Sequence, residues 1–337
     1  MTEPMPVLRE YLYVDIQKVR GLLAQLDDGI VETMRIADKL EKVTGLGVKG
    51  LADHSRRSGE DSTSEKAMGD ALFPILEDAL MTTGFLRDFS EELQGPMAWE
   101  ENGAVTTLPL GSLVRITAQG RLFDARYIAS TFSGMLTASQ GLEAWPDVAT
   151  QWASQKATLP PKAKSQAQKS KERRQRAKAA EGPRFLEDEL PDVDSAFGSE
   201  ITREFLEGLI RLARGLYAPG VHLFLKPTGD PDHAVFARLE EGRQYLDSEP
   251  EVLFSRYGMG EQEWTVVGSI GSHDDRAFAL NPDFARPDES SISRVGMAEY
   301  INMFMHILGR TGMSNLPQWP SFSVVPLAVY RTVHPWT

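Results

Sequence analysis

The chain has 337 residues, of which 41% are hydrophobic and 25% charged, with a formal net charge of -12 and no cysteine. That length suits two domains, and that composition suits a globular chain able to bury sizeable cores, so disorder is expected only locally. Without cysteine there is no disulfide, no thiolate nucleophile and no Cys-based zinc or iron–sulfur centre.

No apolar run approaches the ~20 residues of a membrane-spanning helix. Glu3, Glu10 and Asp15 interrupt the stretch where a secretory leader would need an apolar core, so a cytoplasmic protein is expected. In chain order, alternation over Arg9 to Asp15 predicts a short strand. Asp15 is a capping residue for the helix that follows, where Ile16, Val19, Leu23 and Leu26 recur until Asp27-Asp28-Gly29. A second amphipathic element is expected over Ile30 to Leu40. Thr44 to Ser64 is rich in Gly, Ser and charge and lacks any period, which predicts a mobile loop.

Helical periodicity returns through Ala71, Leu72, Ile75, Leu76, Ala79 and Leu80, with the regular part beginning near Phe73 because of Pro74, and Gly84 ending or bending it. Strands are expected at Ala104 to Leu108 and across Leu110 to Leu122, where apolar and polar residues alternate. Ala125 to Ala144 has mixed helical character, and Trp145-Pro146 closes the first half.

Lys156 to Lys178 carries nine basic residues against the single acid Glu172, inside an acidic protein. Gly182 to Glu200 then swings to acid. Ile201 to Tyr217 is an expected helix presenting Phe205, Leu209, Leu212 and Leu216. Strands follow at Val221 to Lys226 and Ala234 to Leu239, joined by a turn of Pro, Gly and Asp. A short helix near Pro250 and a strand over Glu263 to Ile270 come next. Arg294 to Leu308 places Val295, Ala298, Ile301, Met305 and Leu308 at helical intervals, the pattern of a packed face. Phe322 to Arg331 is a strand in which Pro326 implies an edge or a bulge.

Few motifs carry chemistry. Gly45, Gly47 and Gly50 spell G-x-G-x-x-G, but the run follows a helix instead of a strand, so it lacks the strand–turn–helix setting of a nucleotide site. The six histidines stand singly. His233 beside Asp230 and Asp232, and His273 before Asp274 and Asp275, are the only imidazole and carboxylate neighbours in sequence, and both fall at expected surface turns. Glu91-Glu92 and Glu100-Glu101 suit a solvated face. No cofactor and no metal site is expected.

The basic stretch has the one functional pattern of weight. Lys162, Lys164, Lys169, Lys171, Arg173, Arg174, Arg176 and Lys178 could neutralise phosphates of a nucleic acid or an anionic lipid surface. The same composition, with no aromatic to stack on a base, equally suits a solvated linker.

Several short blocks resemble a family of functionally uncharacterised bacterial proteins: Tyr11-Leu12-Tyr13-Val14-Asp15, Leu22-Leu23-Ala24-Gln25-Leu26 with Gly29, Trp264-Thr265-Val266-Val267-Gly268, and Pro326-Leu327-Ala328-Val329-Tyr330-Arg331. The resemblance reaches both ends, implies no activity, and leaves the basic stretch outside its pattern.

The expectation is an α+β protein of two domains, each with a small, mostly antiparallel sheet and packed helices. Residues 1–150 would form the first, 151–200 a basic then acidic linker, and 201–337 the second. Its function would be binding, sensing or adaptor work with a protein partner and without catalysis. The alternatives are contact with nucleic acid or an anionic membrane surface through 156–178, and an enzyme in which His233 or His273 meets converging acids.

Overall fold

Leu12, Tyr13 and Val14 are all buried as the first strand, β1 (Leu8–Val14), ends, because a register shift between Tyr11 and Tyr13 interrupts the alternation. At its end the Asp15 carboxylate accepts the Lys18 amide at 3.0 Å and caps helix α1 (Ile16–Leu23), which buries Ile16, Val19 and Leu23 at helical spacing. The computed structural model describes residues 8–26, 57–134, 203–242, 244–273 and 294–334. The expected second element over 30–40, the G-x-G-x-x-G run and the linker 151–200 lie outside them.

Helix α2 (Arg57–Thr82) starts far earlier than Phe73 and runs through Pro74. Residues 57–64, expected to belong to a loop, are helical. Burial of Leu72, Phe73, Leu76 and Leu80 holds the helix, and once it is nucleated further turns add at low cost even without an apolar period. Gly84, at φ 77°, ends the segment and turns the chain into the short strand β2 (Leu86–Asp88).

The strand expected at Ala104 to Leu108 is a 3₁₀ turn, Ala104–Thr107. The Thr106 and Thr107 hydroxyls donate back to the Gly103 and Ala104 carbonyls at 2.7 and 2.8 Å, a local bonding option that competes with a sheet ladder. Strand β3 (Leu113–Phe123) follows as expected. After helix α3 (Arg203–Leu216) come β4 (His222–Leu225), β5 (Val235–Arg238), helix α4 (Pro250–Tyr257), β6 (Gln262–His273), helix α5 (Arg294–Arg310) and β7 (Phe322–Val333).

The strands of both halves join one seven-stranded sheet, where a separate sheet in each half was expected. β6 lies between β3 and β7, and β3–β4–β5–β7 complete the circuit, so five strands close a barrel. Each of the two long flanking strands shares its other edge between two short partners. β7 meets β5 over Phe322 to Val324 and β1 over Ala328 to Val333, while β3 meets β2 over Leu113 to Arg115 and β4 over Gly120 to Phe123. Among the described residues only the β2–β3 and β5–β7 pairs are parallel. A register shift opposite Gly268 falls at Pro326, the bulge its missing N–H foretold. Gly268 is required there, because a Cβ would run into the Val325 carbonyl.

Val114, Ile116, Leu223, Leu225, Val235, Val266, Ile270, Phe322 and Val324 are buried on one face of the strands, which fills the barrel. On the other face Val267, Leu327, Ala328 and Tyr330 form a second cluster with Ile16, Val19, Leu72, Phe73, Leu76 and Leu80, so α1 and α2 cover the outside of β1, β7 and β6. By compactness the chain divides into Met1–Asp124 with Gly220–Thr337, which holds this sheet, and Ala125–Pro219. The second unit contains a helix over residues 125–134 and α3, with Ala129, Leu206 and Ile210 buried. Among the described residues no helix is long and apolar enough to cross a membrane.

Candidate functional site

The eight basic side chains singled out in sequence, Lys162 to Lys178, lie outside the described residues, as does His54. His233 stands at the expected turn and is half-buried. Its ring stacks on Trp99 at 5.1 Å and 11°, and its Nδ1 lies 3.0 Å from the Thr228 hydroxyl. Trp99 in turn stacks on Phe322 and donates its indole N–H to the Leu93 carbonyl at 2.9 Å. The neighbouring acids serve the turn: the Asp230 carboxylate accepts the Asp232 amide at 2.9 Å, and the Asp230 carbonyl accepts the His233 amide at 3.2 Å. No acid converges on this imidazole among the contacts described. Glu91, Glu92, Glu100 and Glu101 are exposed, as a solvated face requires.

His273 stands at the end of β6 in a cleft of about 30 Å³, lined also by Ser272, His306, Gly309, Arg310, Leu316 and Pro317. The lining is basic and apolar, without a carboxylate, and holds little more than one water-sized occupant. Among the described residues no group of three or more His, Cys, Asp or Glu could hold a metal ion.

Sequence reasoning overlooked a buried charge cluster beneath α2. Glu77 is buried, and one carboxylate oxygen accepts the Tyr330 hydroxyl at 2.9 Å while the other meets Arg9 Nη1 at 2.5 Å. Arg115 Nη1 approaches at 3.5 Å and spends its remaining nitrogens on Asp88, at 2.7 and 2.8 Å. Asp88 also accepts the Ser90 amide and hydroxyl, and the Ser90 oxygen takes the Thr117 amide. Burial alone would lift the Asp88 carboxyl, but the Ser90 and Arg115 hydrogen bonds outweigh it and hold the group below its ordinary range. The Tyr330 hydroxyl is pushed well above its usual value, first by burial and then by the charge of Glu77. Two cations and a phenol on one carboxylate fasten α2 to β1, β3 and β7. The only sequence signal was polar residues at sheet-facing positions, Arg9 and Arg115, opposite a helix glutamate.

A different surface is apolar and exposed. The stripe expected to pack in α5 is exposed: Val295 is 69%, Ile301 53% and Met305 40% accessible, with Met297 at 47% and Phe304 at 53%. The half-buried positions are instead Gly296, Met303, His306 and Leu308, with Gly309 buried against Leu316. The helix ends rigidly. The Met313 amide donates to the Leu308 carbonyl at 2.8 Å and the Gly312 amide to the Gly309 carbonyl at 2.9 Å, with Gly312 at φ 71°, the geometry of a Schellman cap. Gln318 donates to the Arg310 carbonyl at 3.1 Å. A helix apolar on most of its circumference normally lies in a core, whereas most apolar side chains of α5 are exposed. The sequence signal was there: apolar residues sit on nearly every side of α5, more than one buried stripe needs.

Neither a curated protein nor a solved structure matches the chain. A family model does, over residues 8–330, which spans the whole sheet from β1 into β7. The chain therefore belongs to the family described as a domain of unknown function, DUF6414.

Proposed function

We propose that the chain is a non-enzymatic interaction component that binds a protein partner through α5, with the barrel as its rigid mount. The observation that carries this reading is the exposure of Met297, Ile301 and Phe304 on a helix whose C-terminus is firmly capped. Large apolar side chains in such a patch supply most of the energy of a protein contact when a partner covers them. The double substitution Ile301→Glu with Phe304→Glu tests it. Both side chains are exposed, so the melting temperature should stay unchanged while a protein partner co-isolated with the wild-type chain is lost by at least tenfold. Retention of that partner by the variant overturns the reading.

A second reading rests on the charge contrast of the 156–178 stretch, nine basic residues in a chain of net charge -12. These residues would hold a nucleic acid or an anionic lipid surface in the cytoplasm. Binding of this kind weakens steeply with salt as counterions are released. Replacing Lys162, Lys164, Lys169, Lys171, Arg173, Arg174, Arg176 and Lys178 by Gln should abolish a salt-sensitive signal with duplex DNA or phosphatidylserine vesicles, and unchanged binding removes this reading.

A further inference from the structure

We propose that the partner seated on α5 is a second copy of this chain, whose own α5 lies antiparallel across a two-fold axis. The inference rests on the docking role proposed for α5 and names its occupant. Met297, Ile301, Phe304 and Leu308 follow one another at steps of four, three and four residues, the seam of a helix that packs on another helix. Gly296, Met303 and His306, which are half-buried, point to a different side, so Met297, Ile301 and Phe304 face away from the barrel, while Leu308 at the seam's end is itself half-buried.

The step pattern is the same in both chain directions. An antiparallel copy centred between Asn302 and Met303 therefore sets Met297 on the partner's Leu308 and Ile301 on the partner's Phe304. Large apolar residues meet large ones throughout, as a self-complementary two-fold contact requires. A parallel copy would set the two helix dipoles side by side in the same direction, whereas antiparallel packing opposes them, and it brings Arg294 near the other helix's Arg310.

Area favours a chain-sized partner. The seam itself, Met297, Ile301 and Phe304 at about half exposure, presents on the order of 300 Å², taking about 150–250 Å² for a large side chain, so surface beside α5 joins the contact to approach the ~800 Å² per partner of a standard interface. An anionic membrane suits the surface less well. The chain carries a net charge of -12, and α5 has neither the lysine-rich polar face nor the tryptophan of an interfacial helix.

The absence of native cysteine makes the register directly measurable. Full-length Met297→Cys and Leu308→Cys chains, mixed and mildly oxidised, should cross-link to each other, whereas Met297→Cys alone should not, because antiparallel packing holds its two copies about 16 Å apart along the axis. Sedimentation equilibrium of the wild type should give twice the 37.4 kDa chain mass. The Ile301→Glu, Phe304→Glu chain should dissociate at least tenfold more readily, with an unchanged melting temperature.

A wild type that stays monomeric up to its solubility limit overturns the proposal, as does preferential Met297–Met297 cross-linking by the cysteine variant. Monomers that float with phosphatidylserine vesicles, and cease to do so in the double Glu variant, assign α5 to lipid instead. A monomeric wild type that still loses a different protein partner in that variant defeats self-pairing and leaves the docking role standing. A dimer and a partner both indifferent to the double substitution defeat both.

Discussion

Glu77 shows how one buried carboxylate can decide whether a helix stays on a sheet. Its partners Arg9, Arg115 and Tyr330 come from three different strands, so removing the carboxylate leaves two partly buried guanidinium groups facing each other. Glu77→Ala should cost about 3 kcal/mol, the lower end of the range for breaking a buried pair because both arginines keep some water contact. Tyr330→Phe removes one donor to a charged group and should cost about 1.5 kcal/mol. Urea unfolding measures both, and equal losses would contradict this ordering. Burial, with Glu77, raises the Tyr330 phenol, and burial, with Glu10, pushes the Tyr257 phenol up to about 12. Below the ordinary phenol value of ~10 these groups are neutral in both folded and unfolded chains. Above it the unfolded chain loses protons that the folded chain still holds, so stability falls as pH rises from about 10 to about 12. Tyr257→Phe should flatten that decline in a series of urea midpoints against pH.

At the scale of elements, what the sequence announced and what it concealed divide along one physical line. Period and caps are local, and they placed β1, α1 with its Asp15 cap, β3, β6 and β7 close to where they stand. Partner choice is not local. Alternation in β3 says that Arg115 and Ile116 face opposite sides, but not that Arg115 sits opposite Val267 of β6. One sheet from two halves was therefore invisible, and so was the position of Glu77 among three strands. Helix α2 misled because Pro74 and a polar N-terminal half oppose a helix locally, while Leu72, Phe73, Leu76 and Leu80 secure it by packing. The α5 stripe misled in the other direction. Periodicity established that Ile301 and Met305 share a face with their neighbours, yet an exposed face and a covered one have the same spacing. His233 belongs with these cases in part, since its Asp-rich turn is where the sequence indicated while the stacking of its ring on Trp99, distant in sequence, was not legible.

For the whole molecule, the sheet makes the chain's middle an excursion. β3 ends at Phe123 and β4 begins at His222, and these two residues are direct antiparallel partners, so the points where the chain leaves and returns lie side by side. Everything between, Ala125–Pro219, forms the separate compact unit and includes the basic stretch. Two antiparallel strands with adjacent ends need only a short turn between them. Replacing Ala125–Pro219 with a Gly/Ser turn of about four residues should therefore leave Asp124, Gly220 and the closed barrel in place. Shortening so long a connection lowers the closure entropy, by ~0.6 kcal/mol per halving, so the barrel should not lose stability on that account. The expected product is a folded chain that keeps cooperative unfolding and near-UV signals from the buried Trp99 and Trp264. Aggregation or loss of cooperativity would mean that the excursion is required by the barrel. The same variant separates the two proposed contacts, because α5 remains and the basic residues do not. Self-association through α5 should persist while any salt-sensitive binding of DNA or anionic lipid disappears, and the reverse pattern would exchange the roles given to the helix and to the basic stretch.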